Sequence, residues 1–266
     1  MHGGSVIIPA MKRKIQAVKQ QKKEKENKIN LKIGYASCAA AEISGDTAIS
    51  CGLPGGSRAL ILSDGMGKGI KAAAGSRLVV RRLRKNLKEG MPVARAIKEV
   101  NRYMIEHSSI AGDCGETAAE DFATADLTII DPVTCRARFY KMGAATSFLV
   151  RGGRVRRITG EALPVGIIPA LKLTHISAQL KAGDIIVMVS DGITEADRDD
   201  MGARWLEEYL SDFIGACSMP GECSMTVSPR QLASDILAAA SSRYGARERD
   251  DLTVAAVIIA DSGSDT

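Results

Sequence analysis

The sequence predicts an α+β fold in which antiparallel sheets carry helices packed on their outside. Three observations predict it. The strand-like runs are short and rich in Val, Ile, Phe and Thr. They follow one another in succession instead of alternating one-to-one with helices, which argues against a parallel doubly wound sheet. Turn signals separate them, and Gly152-Gly153 between two such runs reads as a hairpin. The 266 residues suffice for one good-sized core, or at most two small ones.

In chain order, the predicted strands are Arg58–Leu62, Phe122–Ile130, Ala137–Lys141, Ser147–Arg151, Arg154–Ile158, Leu173–Gln179, Asp184–Val189 and Thr253–Ile259. Asp131-Pro132 and Ala182-Gly183 punctuate them. Helical spacing of apolar residues marks Lys68–Lys88, Pro92–His107, Gly202–Phe213 and Pro229–Arg243. Leu78, Leu83 and Leu87 carry the first of these helices, and Val93, Ile97, Val100 and Met104 the second. Glu89-Gly90 separates them, and Pro92 suits a first helical turn. Trp205, Leu206, Tyr209 and Leu210 read as a helix face turned to the core. Residues 214–228 read as a surface excursion, and Asp197-Arg198-Asp199-Asp200 as a solvated turn.

The body expected from this pattern spans residues 31–260. Residues 1–30 form a basic tail or connector: Lys12 to Lys28 is polar nearly all round and cannot bury enough surface for a helix that stands alone. Residues 261–266 read as a frayed end. The net charge of +5 belongs to the tail, which carries eight Lys/Arg against two Glu, leaving −1 for the remainder. The body therefore has no overall nucleic-acid signature. The run Arg77, Arg81, Arg82, Arg84, Lys85 and Lys88 reads as a solvated helix face. No apolar run of membrane-spanning length and no secretory leader is present, which points to a cytoplasmic protein without membrane insertion. The six cysteines lack metal-site spacing and are expected as reduced thiols.

One local pattern occurs twice. Leu60-Ile61-Leu62 runs into Ser63-Asp64-Gly65, and Val187-Met188-Val189 into Ser190-Asp191-Gly192. In reverse order, Asp250-Asp251 leads into Val254–Ile259, and Ile43-Ser44-Gly45-Asp46 precedes the first motif. A buried strand ending in Asp-Gly sets a carboxylate at the rim of the core, with glycine letting the chain turn. Several such aspartates at one rim would repel one another, and divalent cations remove the conflict. All-oxygen donors favour Mg²⁺ or Mn²⁺, and a pair of such ions can activate a water for in-line attack at phosphorus. A single Asp-Gly is more often only a turn. The spacing of Gly65, Gly67 and Gly69 fits neither a phosphate-binding loop nor a dinucleotide fingerprint.

Here the sequence resembles the metal-dependent PPM (type 2C) protein phosphatases, in the bacterial branch typified by SpoIIE. The matching stretches are ISGD (43–46), LSDGMGKG (62–69), ATADLTIID (123–131), KMGAATSFLVRGG (141–153), LPVGI (163–167), LKAGDIIVMVSDGITEA (180–196) and RDDLTV (249–254). The resemblance implies a central antiparallel β-sandwich flanked by helices, with two divalent cations, Mn²⁺ or Mg²⁺, at one end. By motif, Asp64 would bridge both ions, the Gly65 carbonyl would bind one, and Asp191 and Asp250 the other. Asp46 would bind directly or through water. Asp251, Glu195 and Asp126 match family positions and would support the ligands from behind. The implied reaction is direct hydrolysis of phosphoserine or phosphothreonine without a phosphoenzyme. The implied substrate is a small phosphorylated regulatory protein of the anti-anti-sigma type, in sporulation or related sigma control. A homodimer stays open.

One departure stands out. Many eukaryotic relatives carry histidine where this chain has Met66, so a histidine general acid is missing there. Lys68 or a metal-bound water are the alternatives. The departure also keeps a second reading in view: a phosphatase-fold module of weak activity that binds partners. Because the two predicted helices directly follow Asp64, whatever packs on them is expected to influence metal affinity.

Overall fold

The computed structural model describes residues 29–111, 122–197, 203–217 and 227–261. Most of the predicted tails, residues 198–200 of the predicted solvated turn and most of the 214–228 excursion lie outside the described residues. Ten strands form two antiparallel five-stranded sheets. The strands are β1 (Ile29–Cys38), β2 (Asp46–Gly52), β3 (Arg58–Asp64), β4 (Ala125–Asp131), β5 (Arg136–Met142), β6 (Ser147–Arg151), β7 (Arg154–Ile158), β8 (Ile176–Gln179), β9 (Ile185–Val189) and β10 (Leu252–Asp261). One sheet has the order β1-β10-β9-β6-β7, the other β2-β3-β4-β5-β8.

The helices are α1 (Gly69–Lys88), α2 (Val93–Ala111), α3 (Asp191–Thr194), α4 (Arg204–Cys217) and α5 (Pro229–Tyr244). Helices α1 and α2 cover the β2–β8 sheet, α4 and α5 the other. The result is the four-layered α-β-β-α sandwich expected from the resemblance.

Alternation along the central strands builds these layers. On β3, Leu60 and Leu62 point between the sheets, while Ala59 and Ile61 face α1 and α2. On β9, Ile186 and Met188 point between the sheets, while Val187 and Val189 face α4 and α5. Both faces are buried, so these strands read as continuous apolar runs instead of alternating ones. Phe139 and Phe148 are nearly or fully buried, each contributing roughly 2–3 kcal/mol of burial relative to exposure.

The hairpin at Gly152-Gly153 forms as predicted. Arg151 pairs with Arg154, and the two glycines between them hold φ of 53° and 78°, the left-handed values of a type I′ turn. Helix α1 buries Ala72, Ala73, Ser76, Val79, Val80, Leu83 and Leu87 on one face. It carries seven Lys/Arg and no acidic residue, and all but Arg82 are exposed. It ends before Gly90, whose φ of 82° lets the chain break away.

The structure adds two strands that the pattern did not predict, β1 and β2. Strand β1 pairs along its whole length with β10, from Ile29 opposite Asp261 to Cys38 opposite Leu252. The sheet therefore reaches one or two residues into each stretch read as a tail.

Candidate metal centre

The two Ser-Asp-Gly motifs end interior strands of opposite sheets, β3 and β9, and in each the serine lies beside a threonine that ties the strand end down, by different bonds. Ser63 Oγ donates to the Thr124 carbonyl at 2.6 Å, and the Asp64 amide donates to Thr124 Oγ1 at 2.8 Å. Ser190 Oγ accepts from the Thr253 amide at 2.9 Å, and the Ser190 amide donates to the Thr253 carbonyl at 3.0 Å. Each serine thus fastens its strand end to a threonine on the adjoining segment, and each fixes where the next side chain, an aspartate, begins.

The glycines have a different reason from the one the sequence suggests. Neither Gly65 nor Gly192 adopts a positive φ. A methyl group built on Gly65 would overlap the Ala72 carbonyl of α1, and one on Gly192 would overlap the Asp251 carbonyl. Close approach of another backbone, not a sharp turn, excludes every other residue. The motifs also diverge beyond the aspartate. Asp64 is the last residue of β3 and lies opposite Asp46, the first of β2. Asp191 instead opens the short helix α3.

The electrostatics show how close these groups stand. Burial raises Asp64 to about 9, with repulsion from Asp191, Asp46 and Asp250 adding to it. Asp46 is pushed up to about 7, chiefly by burial; the nearby Ser190 and Thr253 hydroxyls offset only part of the rise. Neither carboxylate oxygen of Asp46 has a hydrogen-bond partner of good geometry, and both are shielded from solvent. Asp191 is raised as well, first by burial, then by Asp250 and Glu195. Asp46, Asp64, Asp191 and Asp250 therefore share one field at one rim, two from each sheet.

Among the described residues no three His, Cys, Asp or Glu side chains already stand around a common point at ligand distances. Asp191, Asp46 and Asp250 all raise Asp64 through their charge, and Asp250 likewise raises Asp191. The donor set is all oxygen, partly desolvated and short of compensating charge. It fits hard divalent cations, and the orphaned Asp46 oxygens are the clearest sign of the fit.

Among the remaining predicted residues, Asp251 is held by backbone amides, and its charge adds to the rise of Asp46. Its oxygens accept the Ala40 and Gly45 amides, each at 2.6 Å, and so hold the loop that leads into Asp46. Asp250 Oδ1 accepts the Asp251 amide at 2.8 Å. Glu195 is exposed and acts on Asp191 only through its charge. Asp126 lies inside the sandwich: its Oδ2 accepts Lys141 Nζ at 2.5 Å and Ser147 Oγ at 2.7 Å. It does not join the rim aspartates.

Sequence reasoning missed Thr124 and Thr253, which hold the two serines. It also missed Tyr244, whose hydroxyl donates to the Gly192 carbonyl at 2.7 Å. No local signal marked them; each becomes visible only through its partner across the fold. Among the described residues, both histidines are engaged elsewhere. His107 stacks on Tyr103 of α2, and His175 lies against Tyr140 of β5. Met66 stands at the cluster's edge, 49% exposed.

Comparisons with known proteins bear on the family and the fold. The family model of stage II sporulation protein E (SpoIIE) matches residues 54–259. The stage II sporulation protein E of Bacillus subtilis (strain 168) is 30% identical over 235 residues, covering 88% of this chain and 26% of that protein. Its counterpart in Priestia megaterium is 32% identical over 177 residues, covering 66% of this chain and 28% of that protein. The chain thus spans about a quarter of the length of these relatives. The solved PP2C phosphatase domain of B. subtilis SpoIIE, with a fragment of its regulatory domain, superposes with a TM-score of 0.72 at 28% identity. That match covers 87% of this chain and 64% of the other. With the family model matched over most of the sequence and the sandwich shared, the chain belongs to the SpoIIE family of PP2C-type phosphatases.

Proposed function

We propose that this chain is a metal-dependent serine/threonine protein phosphatase. Its substrate would be phosphoserine on a small regulatory protein of the anti-anti-sigma type, in the cytoplasm. The observation that carries the reading is the convergence of Asp46, Asp64, Asp191 and Asp250 from both sheets, with three of the four held above the usual carboxylate range. Among the described helices none is long and apolar enough to cross a membrane.

Asp64, Asp46, Asp191, Asp250 and the Gly65 carbonyl are the groups that would hold two Mg²⁺ or Mn²⁺ ions. Bound there, the ions would neutralise the carboxylates, polarise the phosphoryl group and supply an activated water. The chain's own part is positioning. Thr124 and Thr253 fix the strand ends, Asp251 ties down the loop before Asp46, and Tyr244 orients the Gly192 carbonyl. Dephosphorylation of a phosphoserine protein in Mn²⁺ tests the reading. Asp64→Asn and Asp191→Asn should each lower the rate by about 100-fold or more, and chelation should abolish it. Undiminished turnover in either variant would refute the assignment.

The unreplaced histidine position favours a second reading, a partner-binding module of weak activity. Calorimetry showing no Mn²⁺ uptake at millimolar concentration would select it.

A further inference from the structure

A cleft of about 410 Å³ opens beside Asp250. Three cations line it: Lys68, Arg247 and Arg249. They come from different places. Lys68 lies on the loop between β3 and α1, on the side of one sheet; Arg247 and Arg249 lie on the loop between α5 and β10, on the side of the other.

Their present bonds differ. Arg247 is committed to the backbone, donating to the carbonyls of Tyr244, Ala196 and Arg243. That guanidinium braces the loop and is not available. Lys68 holds a single partner, Glu248, through an exposed ion pair that spans the cleft. Glu248 is also exposed and also lines the cleft. Arg249, immediately before Asp250, makes no hydrogen bond or ion pair among the described residues, yet it borders the cleft. An exposed lysine–carboxylate pair adds little stability, so an incoming dianion can exchange for the carboxylate at small cost. A guanidinium without a partner presents a donor fork matched to phosphate oxygens.

We propose that Arg249 and Lys68 form the subsite that receives the substrate's phosphate group, with Glu248 occupying Lys68 until that group arrives. This rests on the phosphatase reading and supplies what it lacked, a cation for the phosphate. The ligand class is a phosphoserine or phosphothreonine monoester, or inorganic phosphate as the released product. The two cations approach from opposite sheets, so the ester is gripped from both sides while its phosphorus faces the aspartates. Glu248 competes with the ligand for Lys68, so its removal tightens binding.

The test uses the Mn²⁺-loaded protein and inorganic phosphate, read by calorimetry, so it does not depend on turnover. Arg249→Met and Lys68→Met should each weaken phosphate binding by about tenfold, the loss of one charge-assisted hydrogen bond. Arg249→Lys should recover part of the loss. Glu248→Gln should strengthen binding by about threefold. In steady-state assays with a phosphoserine protein, the Met variants should raise KM more than they lower kcat. Wild-type phosphate affinity in both Met variants would overturn the proposal, as would a loss that merely tracks weaker Mn²⁺ binding. A wild-type protein that binds phosphate through Arg249 but hydrolyses no phosphoprotein would instead sink the phosphatase reading and leave the subsite standing.

Discussion

Asp64 and Asp46 hold protons that they would release on unfolding, since burial raises them to about 9 and about 7. The sign of the consequence follows. A carboxyl whose folded value lies above its unfolded value stabilises the fold least at high pH. Without metal, stability should therefore fall as pH rises from about 5 to about 9. Thermal unfolding in chelator at several pH values checks this: the midpoint should drop along the series, Mn²⁺ should restore it most at the alkaline end, and Asp64→Asn should flatten the trend. A midpoint that climbs with pH would contradict it. At this scale much of the site was legible. The repeated Ser-Asp-Gly and the Asp-Asp before a strand pointed to Asp64, Asp191 and Asp250 because the motif recurs at strand ends. Asp126 could not be placed that way. On β4 it lies opposite Leu62, two residues before Asp64, and whether it turned to the rim or to Lys141 depends on a residue 15 positions away.

The elements explain why the site tolerates so little change. Gly65 lies against the Ala72 carbonyl, so Gly65→Ala forces α1 away from β3 or shifts Asp64. A loss of roughly 1–3 kcal/mol is expected, in line with overpacking. Denaturant unfolding should show it, and Mn²⁺ affinity should fall with it; a variant of wild-type stability would mean that the helix can step aside freely. Gly52 is the internal control, since it has open space around it and no positive φ. Central strands and long helices were legible because burial of one or both faces leaves a strong apolar pattern. The strands β1 and β2 were not. Both lie at sheet edges, where one ladder suffices and residues such as Asn30, Lys32, Thr47 and Ser50 are accommodated. The four-residue α3 is too short to show any period.

The two sheets are joined by apolar packing and by a buried polar contact inside the sandwich. Lys141 on β5 reaches Asp126 on β4 and Ser147 on β6, so the contact crosses from one sheet to the other. Burial pulls Lys141 below its usual range while Asp126 opposes that pull. Lys141→Met leaves the carboxylate without its partner and should destabilise the protein by about 3–5 kcal/mol. Pairing it with Asp126→Leu should recover much of the loss. Equilibrium unfolding of both variants decides the matter, and a double variant no better than the single would show that the contact acts through something other than charge.

The aspartates reach their rim from separate halves, Asp46 and Asp64 from one sheet, Asp191 and the approach to β10 from the other. Neither half alone assembles the donor set. On the proposed reading, cation capture would be coupled to the docking of the halves: ions that bind only the closed sandwich would hold it shut by mass action. A chelator would be felt first as a loosening of the seam between the layers, well before either layer came apart.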